Sequence, residues 1–274
     1  MIGGDLEVHR LGFGAMQLTG EGVWGPPEDH EGAVRVLREA VELGVTLIDT
    51  ADSYGPFVAD RLIKEALHPY PPELVIATKV GFTRQGPGQW TPNGRPEYLR
   101  RQVELSLRNL GLERIDLLQL HRIDPAVELE EQLGELTLLQ REGKVRHIGL
   151  SEVTEEQVRA AQRDTAIVSV QNRYNLAERR AEPVLRYCES ESMAFIPWFP
   201  LATGRLARAG GPLEALARRH GATPAQLAIA WLLHRSPVML PIPGTASLEH
   251  LRENVAAAAI SLTDPELAAL DDAV

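Results

Sequence analysis

The stretch ELVIATKV, residues 73–80, is an apolar run that shows no polar alternation before it reaches Lys79. Runs of this kind are typical of strands buried on both faces, as in a parallel sheet. Similar runs recur along the chain, separated by segments with helical periodicity. They are VTLID (45–49), RIDLLQLH (114–121), KVRHIGLS (144–151), AIVSVQ (166–171), MAFIPW (193–198) and PVMLPIP (237–243), with RLGFGAM (10–16) as a weaker eighth candidate.

The segments between these runs predict helices with one apolar face. In residues 97–110, leucines and a valine recur at i, i+4, i+8 and i+11, which places them on one side of a helix. Residues 31–43 show a similar pattern. Gly44, Gly111 and Gly143 each follow a helical segment and precede a strand, as left-handed helix caps do.

Eight strand candidates that alternate with helices predict an α/β fold, a (β/α)8 TIM barrel formed as a single domain by residues 1–274. The alternative is an open doubly wound sheet. No GxGxxG motif opens a helix after the first strand, because GFGAM (12–16) continues differently, and this disfavours the alternative. The segment 81–96 is rich in Gly and Pro and predicts a long functional loop.

Composition excludes several classes of partner. A net charge of −10 argues against nucleic acid, which requires a basic face. No apolar run approaches the length of a membrane span, and no apolar signal core precedes the first strand. The single cysteine, Cys188, fits a reducing cytoplasm. The histidines lack metal-ligand spacing, so we expect no metal, while the oligomeric state stays open.

Polar residues collect where the predicted strands end, and catalytic groups of α/β barrels lie at the carboxyl ends of strands. In chain order these residues are Asp49, Lys79, His121, Ser151, Gln171 and Trp198, with Thr245 after the last strand. Each alone has an ordinary structural interpretation as a cap, a turn residue or a satisfied core residue. Because they come from seven separate segments, together they predict an active site.

The chemistry of this set is coherent. Lys79 follows a run that should be buried, and a buried ammonium needs a carboxylate, for which Asp49 is the natural candidate. Tyr54 follows in the turn after Asp49. We expect the ammonium to lower the pKa of Tyr54 by favouring the phenolate. His121 would orient a substrate carbonyl, so the set predicts a site that donates a proton to a developing alkoxide.

The chain resembles the aldo-keto reductases over nearly its full length. The motifs that carry the resemblance are LIDTADSYG (47–55), ATKVG (77–81), LLQLHRID (117–124), RHIGLSE (146–152), VQNRYN (170–175), IPWFPLATGRL (196–206) and LPIPGTASLEHLRENVAAA (240–258). The resemblance implies reduction of small aldehydes or ketones by NADPH, with NADH less expected, and without metal or flavin. It implies Asp49, Tyr54, Lys79 and His121 as catalytic residues, with Tyr54 as proton donor to a substrate that receives hydride directly from the nicotinamide.

The resemblance also implies cofactor contacts. Ser151 and Gln171 match residues that bind the nicotinamide carboxamide, Glu152 replaces the usual asparagine, and Trp198 occupies a position that stacks on the nicotinamide. The remaining matches are Leu201, Gly204 and Arg205 beside the pyrophosphate, and Gly244, Thr245, His250, Glu253 and Asn254 around the adenosine and its 2′-phosphate. Relatives often carry lysine at position 244 and arginine at position 250, for which Arg252 or Arg205 is a candidate substitute.

Within the family the sequence resembles a bacterial subgroup that includes pyridoxal reductases, which suggests a pyridoxal-like or other aromatic carbonyl substrate. Trp24, Phe82 and Trp90 fall in predicted loops and are candidates for an aromatic substrate pocket, although ordinary packing is an alternative. Two other functions stay open. One is a Schiff-base lyase that uses Lys79, and the other is a cofactor-binding regulatory or sensor subunit with little turnover.

Overall fold

A computed structural model describes residues 1–200 and 212–272, and the centre of this part is a curved parallel sheet. Within the described residues the sheet has seven strands, and each strand pairs in parallel with its neighbour. In spatial order they are β1 (Phe13–Gly14), β2 (Leu47–Asp49), β3 (Val75–Val80), β6 (Ile115–Leu120), β7 (Val145–Ser151), β8 (Ile167–Gln171) and β9 (Ala194–Phe195). The spatial order follows the chain order, and the predicted (β/α)8 barrel is confirmed.

The barrel closes through residues 237–243 without a regular eighth strand. On one side Phe195 and Met239 form an isolated parallel bridge, and on the other Gly12 N donates to Pro241 O at 2.9 Å. The prediction of a full strand here was wrong. This segment has three prolines, which lack the N–H groups that a strand in the middle of a sheet must donate.

Helices connect the strands and pack against the sheet and one another. The described ones are α1 (His30–Glu42), α2 (Val58–Leu67), α3 (Pro96–Leu110), α4 (Leu129–Arg141), α5 (Glu155–Ala161), α6 (Glu182–Ser190), α7 (Pro212–Arg219), α8 (Pro224–Arg235), α9 (Leu248–Ala256) and α10 (Asp264–Asp272), with 3₁₀ turns at Ala15–Leu18 and Ala257–Ala259. The apolar face predicted for α3 is buried at Leu99, Val103 and Leu110 and partly buried at Leu107. The left-handed caps at Gly44, Gly111 and Gly143 are confirmed by φ angles of +89°, +70° and +77°.

Residues 81–96 were predicted as a loop, but most of them form a β-hairpin. Its antiparallel strands are β4 (Phe82–Gly86) and β5 (Gln89–Pro92), and Gly88 in the turn has a φ of +67°. The glycines and prolines of this segment led to the prediction of a loop, and the two short strands between them were not recognised. The hairpin directly follows β3, so it lies at the carboxyl end of the barrel.

Two carboxyl groups are buried beside the turn that follows β2. Asp60 on α2 is fully buried and its Oδ1 accepts a 2.9 Å hydrogen bond from Thr50 Oγ1. Asp52 is 2% exposed, and neither oxygen of its carboxyl group has a hydrogen-bond partner among the described residues. Burial raises the pKa of Asp60 to about 6, and burial together with the charge of Asp60 raises the pKa of Asp52 well above its usual range.

We predict that this carboxyl pair makes the protein less stable as the pH rises. The two carboxyl groups bind protons more tightly in the folded than in the unfolded protein. Their contribution to the free energy of unfolding is therefore complete below the unfolded pKa of about 4. The contribution is lost as the pH rises through the raised folded values, about 6 for Asp60. Asp52→Asn removes one of the two titrating groups, so the free energy of unfolding should fall less between pH 5 and pH 8 in this variant than in the wild type.

Urea unfolding at pH 5 and pH 8 tests this prediction. The stability difference between the two pH values should be smaller in Asp52→Asn than in the wild type. Asp164→Asn, at an exposed carboxyl group, serves as the control and should keep the wild-type difference. An equal or larger stability difference in Asp52→Asn than in the wild type would contradict the prediction.

Candidate active site

The inner face of the barrel changes from apolar to polar towards the carboxyl ends of the strands. Every second residue of a barrel strand points inward. In β3, Val75 and Ala77 belong to the inner apolar cluster, and Lys79 is the next residue on the same face. In β6, Leu117 belongs to that cluster and Gln119 follows it. The two-residue alternation of the strands therefore places these polar side chains in one layer at the mouth of the barrel.

Lys79 is the centre of this layer and is 0% exposed. Its Nζ donates to Asp49 Oδ2 at 2.5 Å, to Thr50 O at 2.8 Å and to Tyr54 Oη at 3.2 Å. An ammonium group has three donors, and these contacts use all of them. The structure thus brings together Asp49, Tyr54 and Lys79 as the sequence predicted.

The other oxygen of Asp49 is held by two amides. Asp49 Oδ1 accepts from Gln171 Nε2 at 2.9 Å and from Gln119 Nε2 at 3.2 Å. Sequence reasoning assigned Gln171 to the cofactor and missed Gln119, which lies two residues before His121 on the same face of β6. A polar residue at an inward strand position was the signal that could have found it. The two amides fix the carboxylate that pairs with Lys79.

The pKa of Tyr54 corrects one expectation. Burial raises this pKa more than the nearby ammonium of Lys79 lowers it, so the net shift is upward. For Lys79, burial opposes the charge, but Asp49 and Tyr54 together raise its pKa above the usual value. At neutral pH the site therefore holds a protonated phenol beside a charged ammonium group, and the phenol can donate its proton.

His121 lies beside this group and is 8% exposed. Burial and the positive charge of Lys79 lower the pKa of His121 well below its usual range, so the ring is neutral. Its Nδ1 lies 3.3 Å from Ser53 Oγ, and its ring centroid is 6.1 Å from that of Tyr54. A serine hydroxyl can donate to Nδ1, which leaves the ring proton on Nε2 as a donor. The sequence did not single out Ser53.

Arg122 is another residue that the sequence analysis missed. Its Nη1 donates to His121 O at 2.6 Å and to Ser151 Oγ at 3.2 Å. Ser151 is 2% exposed and pairs in register with Gln171 across β7 and β8. Because Ser151 Oγ accepts from Arg122, its own proton is free to donate to a ligand. The only sequence signal for Arg122 was its position directly after His121.

Glu152 is already engaged within the protein. Its φ of +55° turns the side chain back, and its Oε1 accepts from Trp198 Nε1 at 2.5 Å and from Arg173 N at 2.6 Å. A carboxylate is an acceptor and cannot donate to a carboxamide oxygen as asparagine does. Glu152 instead fixes the indole of Trp198, the ring expected to stack on the nicotinamide.

The positions expected around the adenosine lie on and before α9. Gly244 leaves no room for a side chain, because a Cβ there would collide with Gly14 O, which accounts for the absence of lysine at this position. Thr245 and Asn254 are buried, while His250 is exposed and Glu253 half-buried.

Of the two arginines that could substitute for the missing basic residues, Arg252 lies within the described residues and Arg205 does not. Arg252 pairs with Glu39 on α1, with 2.5 Å between Nε and Oε1, so it faces a neighbouring helix. Leu201, Gly204 and Arg205 lie outside the described residues.

The predicted pocket aromatics gather at the mouth. Phe82 and Trp90 on the hairpin have ring centroids 5.4 Å apart, and the Trp90 ring is 6.5 Å from the Tyr54 ring. Phe82 packs 4.7 Å from the His121 ring. Trp24 forms a backbone bridge with Gly55, next to Tyr54. The structure therefore places the rings of Phe82 and Trp90 beside Tyr54 and His121, whereas Trp24 adjoins the site through its backbone and its ring contacts Arg84.

Residues 1–200 and 212–272 contain neither a metal cluster nor a membrane-spanning helix. No group of three or more His, Cys, Asp or Glu side chains in these ranges could hold a metal ion. No helix in them is long and apolar enough to cross a membrane. Cys188 is buried, and burial raises the pKa of its thiol to about 12, so it is not a reactive nucleophile.

The structure thus combines a parallel barrel with a buried Tyr–Lys–Asp group at the carboxyl ends of its strands. The profile described as the aldo/keto reductase family matches residues 10–274. The chain is 50% identical over 269 residues to an uncharacterised oxidoreductase of Schizosaccharomyces pombe, with 98% of this chain and 88% of that protein covered. It is 45% identical over 274 residues to pyridoxine 4-dehydrogenase of Escherichia coli, covering 98% and 96% of the two chains.

Structural similarity agrees. An aldo/keto reductase from Klebsiella pneumoniae in complex with NADP and acetate matches with a TM-score of 0.84 at 30% identity, covering 99% of this chain and 93% of that chain. The chain belongs to the aldo/keto reductase family and is an oxidoreductase.

We predict that Asp49→Leu destabilises the protein by about 3 to 5 kcal/mol, because it leaves the Lys79 ammonium buried without its carboxylate. The double variant Asp49→Leu/Lys79→Met removes both charges and should lose less stability than Asp49→Leu alone. Chemical unfolding of the three proteins measures the difference. Equal losses of stability in the single and double variants would contradict the prediction, because the unpaired ammonium would then not be the cause of the loss.

We predict that Glu152→Ala loosens Trp198, since the indole N–H loses its acceptor, whereas Glu152→Gln keeps a carbonyl acceptor. Acrylamide quenching of fluorescence measures this. The signal of Trp198 is isolated by subtracting the matching variant that also carries Trp198→Phe, because the chain has four tryptophans. Quenching should increase in Glu152→Ala and stay near wild type in Glu152→Gln. Unchanged quenching in Glu152→Ala would contradict the role of Glu152.

Proposed function

We propose that this protein reduces an aldehyde or ketone to an alcohol with NADPH, by direct hydride transfer, and that Tyr54 donates the proton. The observation that carries the proposal is the 3.2 Å contact between Lys79 Nζ and Tyr54 Oη, inside a network that keeps the ammonium buried and charged. The NADP-bound structure of the related Klebsiella pneumoniae protein supports the choice of cofactor.

The residues at the mouth fit the nicotinamide group chemically. A carboxamide requires both a donor and an acceptor. The hydroxyl group of Ser151 can donate a hydrogen bond to the carboxamide. The side-chain amide of Gln171, the register partner of Ser151 on β8, can form the second hydrogen bond. Trp198 would present its ring face. The cofactor supplies the hydride, and the protein residues bind and orient it and handle the proton.

The proton transfer follows from the arrangement around Tyr54. As charge develops on the substrate oxygen, the phenol donates its proton and becomes a phenolate 3.2 Å from the ammonium of Lys79. Asp49 holds that ammonium in place and keeps it charged. The Nε2–H of His121 donates to the same substrate oxygen and orients it. Proton donation by a positioned acid is worth roughly 10²- to 10⁴-fold in rate.

The substrate proposal is a planar aromatic carbonyl, such as a pyridoxal-like aldehyde. Phe82 and Trp90 form an aromatic wall beside Tyr54 and His121, with centroid distances of 4.7 to 6.5 Å. Pyridoxine 4-dehydrogenase of Escherichia coli, at 45% identity, supports the same class of substrate.

The two other functions are less well supported. A Schiff-base lyase needs a neutral, accessible amine, whereas Lys79 is 0% exposed, uses its three N–H donors and has a raised pKa. Borohydride in the presence of a carbonyl substrate should therefore leave no adduct on Lys79. A sensor subunit with little turnover would bind NADPH tightly but would not oxidise it with any carbonyl compound in a broad panel.

We predict that the wild type oxidises NADPH with members of a panel of pyridoxal, aromatic aldehydes and sugar-like ketones. Tyr54→Phe should lower kcat by about 10²- to 10⁴-fold because it removes only the acid. NADPH affinity, followed by fluorescence, and the melting temperature should stay near wild type. Tyr70→Phe, which removes a phenol that donates to Leu110 O outside the site, is the matched control. Near-normal turnover in Tyr54→Phe would falsify the assignment of the acid.

A further inference from the structure

Arg84 on the hairpin uses every hydrogen-bond donor of its guanidinium group. The group has five N–H donors in a planar fork. The acceptors are five main-chain carbonyls: Nε donates to Gln89 O at 2.8 Å, Nη1 to Ser53 O at 2.6 Å and to Val23 O at 2.9 Å, and Nη2 to Gly22 O at 2.9 Å and to Gly86 O at 3.3 Å. These contacts are more than the hairpin needs for its own turn.

The five carbonyls belong to three separate segments. One is the hairpin, the second is the loop at residues 22–23, and the third is the turn that carries Tyr54. Ser53 immediately precedes Tyr54, and its hydroxyl lies 3.3 Å from His121 Nδ1. Arg84 therefore ties the hairpin directly to the backbone that places the candidate acid.

The same guanidinium group lies between two tryptophans. Its central carbon is 3.6 Å from the ring centroid of Trp90 and 5.6 Å from that of Trp24. Both distances fall within the range of cation–π contacts. Trp90 in turn faces Tyr54 at 6.5 Å and His121 at 6.2 Å. Arg84 therefore contacts the same indole ring that faces Tyr54 and His121.

We propose that Arg84 is a positioning residue that makes the enzyme selective for planar aromatic carbonyl substrates. The inference rests on the proposed carbonyl reduction. A flat substrate ring gains from the Trp90 wall only when the wall is held at a fixed distance from Tyr54, because ordering a mobile wall on binding costs affinity and alignment. A short aliphatic aldehyde covers little of the wall and depends on it less.

Arg84→Lys is the sharpest test because it keeps the positive charge. A lysine has three donors on one nitrogen and cannot span five carbonyls or stack flat on an indole. Benzaldehyde and butanal serve as the aromatic and aliphatic probes. We expect kcat/KM for benzaldehyde to fall about 10- to 100-fold and that for butanal to fall less than about 3-fold. Arg95→Lys, at an exposed arginine after the hairpin, should change neither value.

Trp90→Leu provides the second arm. It removes the ring that Arg84 contacts and should lower the ratio of the benzaldehyde to the butanal kcat/KM, as Arg84→Lys does. In the double variant the two effects should not add, because both act through one contact. An unchanged ratio of the two kcat/KM values in Arg84→Lys overturns the proposal. If both values fall equally and the melting temperature is lower, Arg84 has a purely structural role, which also overturns the proposal.

Failure of the proposed function is distinguishable from failure of this inference. If the wild type turns over neither probe, binding of benzaldehyde and butanal is measured by tryptophan fluorescence, with Trp90→Leu as the blank. Tighter binding of benzaldehyde that is lost in Arg84→Lys supports the role of Arg84 without any turnover. Equal affinities in the wild type and Arg84→Lys overturn it.

Discussion

The structure depends on how one buried ammonium group is stabilised. Lys79 is 0% exposed, and an unpaired charge at that depth would cost several kcal/mol. Its partners come from β2 and from the turn after it, at 2.5 to 3.2 Å. The contacts require β2 and β3 to pair with Asp49 opposite Ala77, and they require the turn to bring Tyr54 back over the strand ends. The same geometry that makes burial tolerable also brings together the residues for which we propose proton donation.

The alternation of barrel strands explains why this polar layer does not weaken the core. Leu47, Ala77 and Leu117 fill the barrel below, and the next inward positions on their strands, Asp49, Lys79 and Gln119, are polar. These polar residues satisfy one another, since Asp49 accepts from Lys79 and from two glutamine amides. A complete network of this kind is rigid, whereas a partly satisfied one would be unstable.

The barrel, Asp49, Tyr54 and Lys79 could be predicted because strand runs, strand ends and the penalty for a buried charge are local properties of the sequence. The role of Arg84 could not, because its hydrogen bonds go to main-chain carbonyls that only the folded chain brings near. The eighth strand was overpredicted because its apolar run was given more weight than its three prolines. The direction of the pKa shift of Tyr54 also failed. The sequence showed the neighbouring ammonium but not the degree of burial, and burial is the larger effect.

The raised pKa of Tyr54 suits an acid better than the lowered pKa expected from the sequence. A phenol with a strongly lowered pKa would lose its proton before a substrate arrived and could not donate it. Here burial keeps the proton on the phenol, and in the proposed reaction the contact with Lys79 would gain strength as the phenolate forms. An interaction that is stronger in the transition state than in the ground state is the kind that accelerates a reaction. Positive charge and burial likewise keep His121 neutral, so its ring proton stays available as a hydrogen-bond donor without competing as an acid.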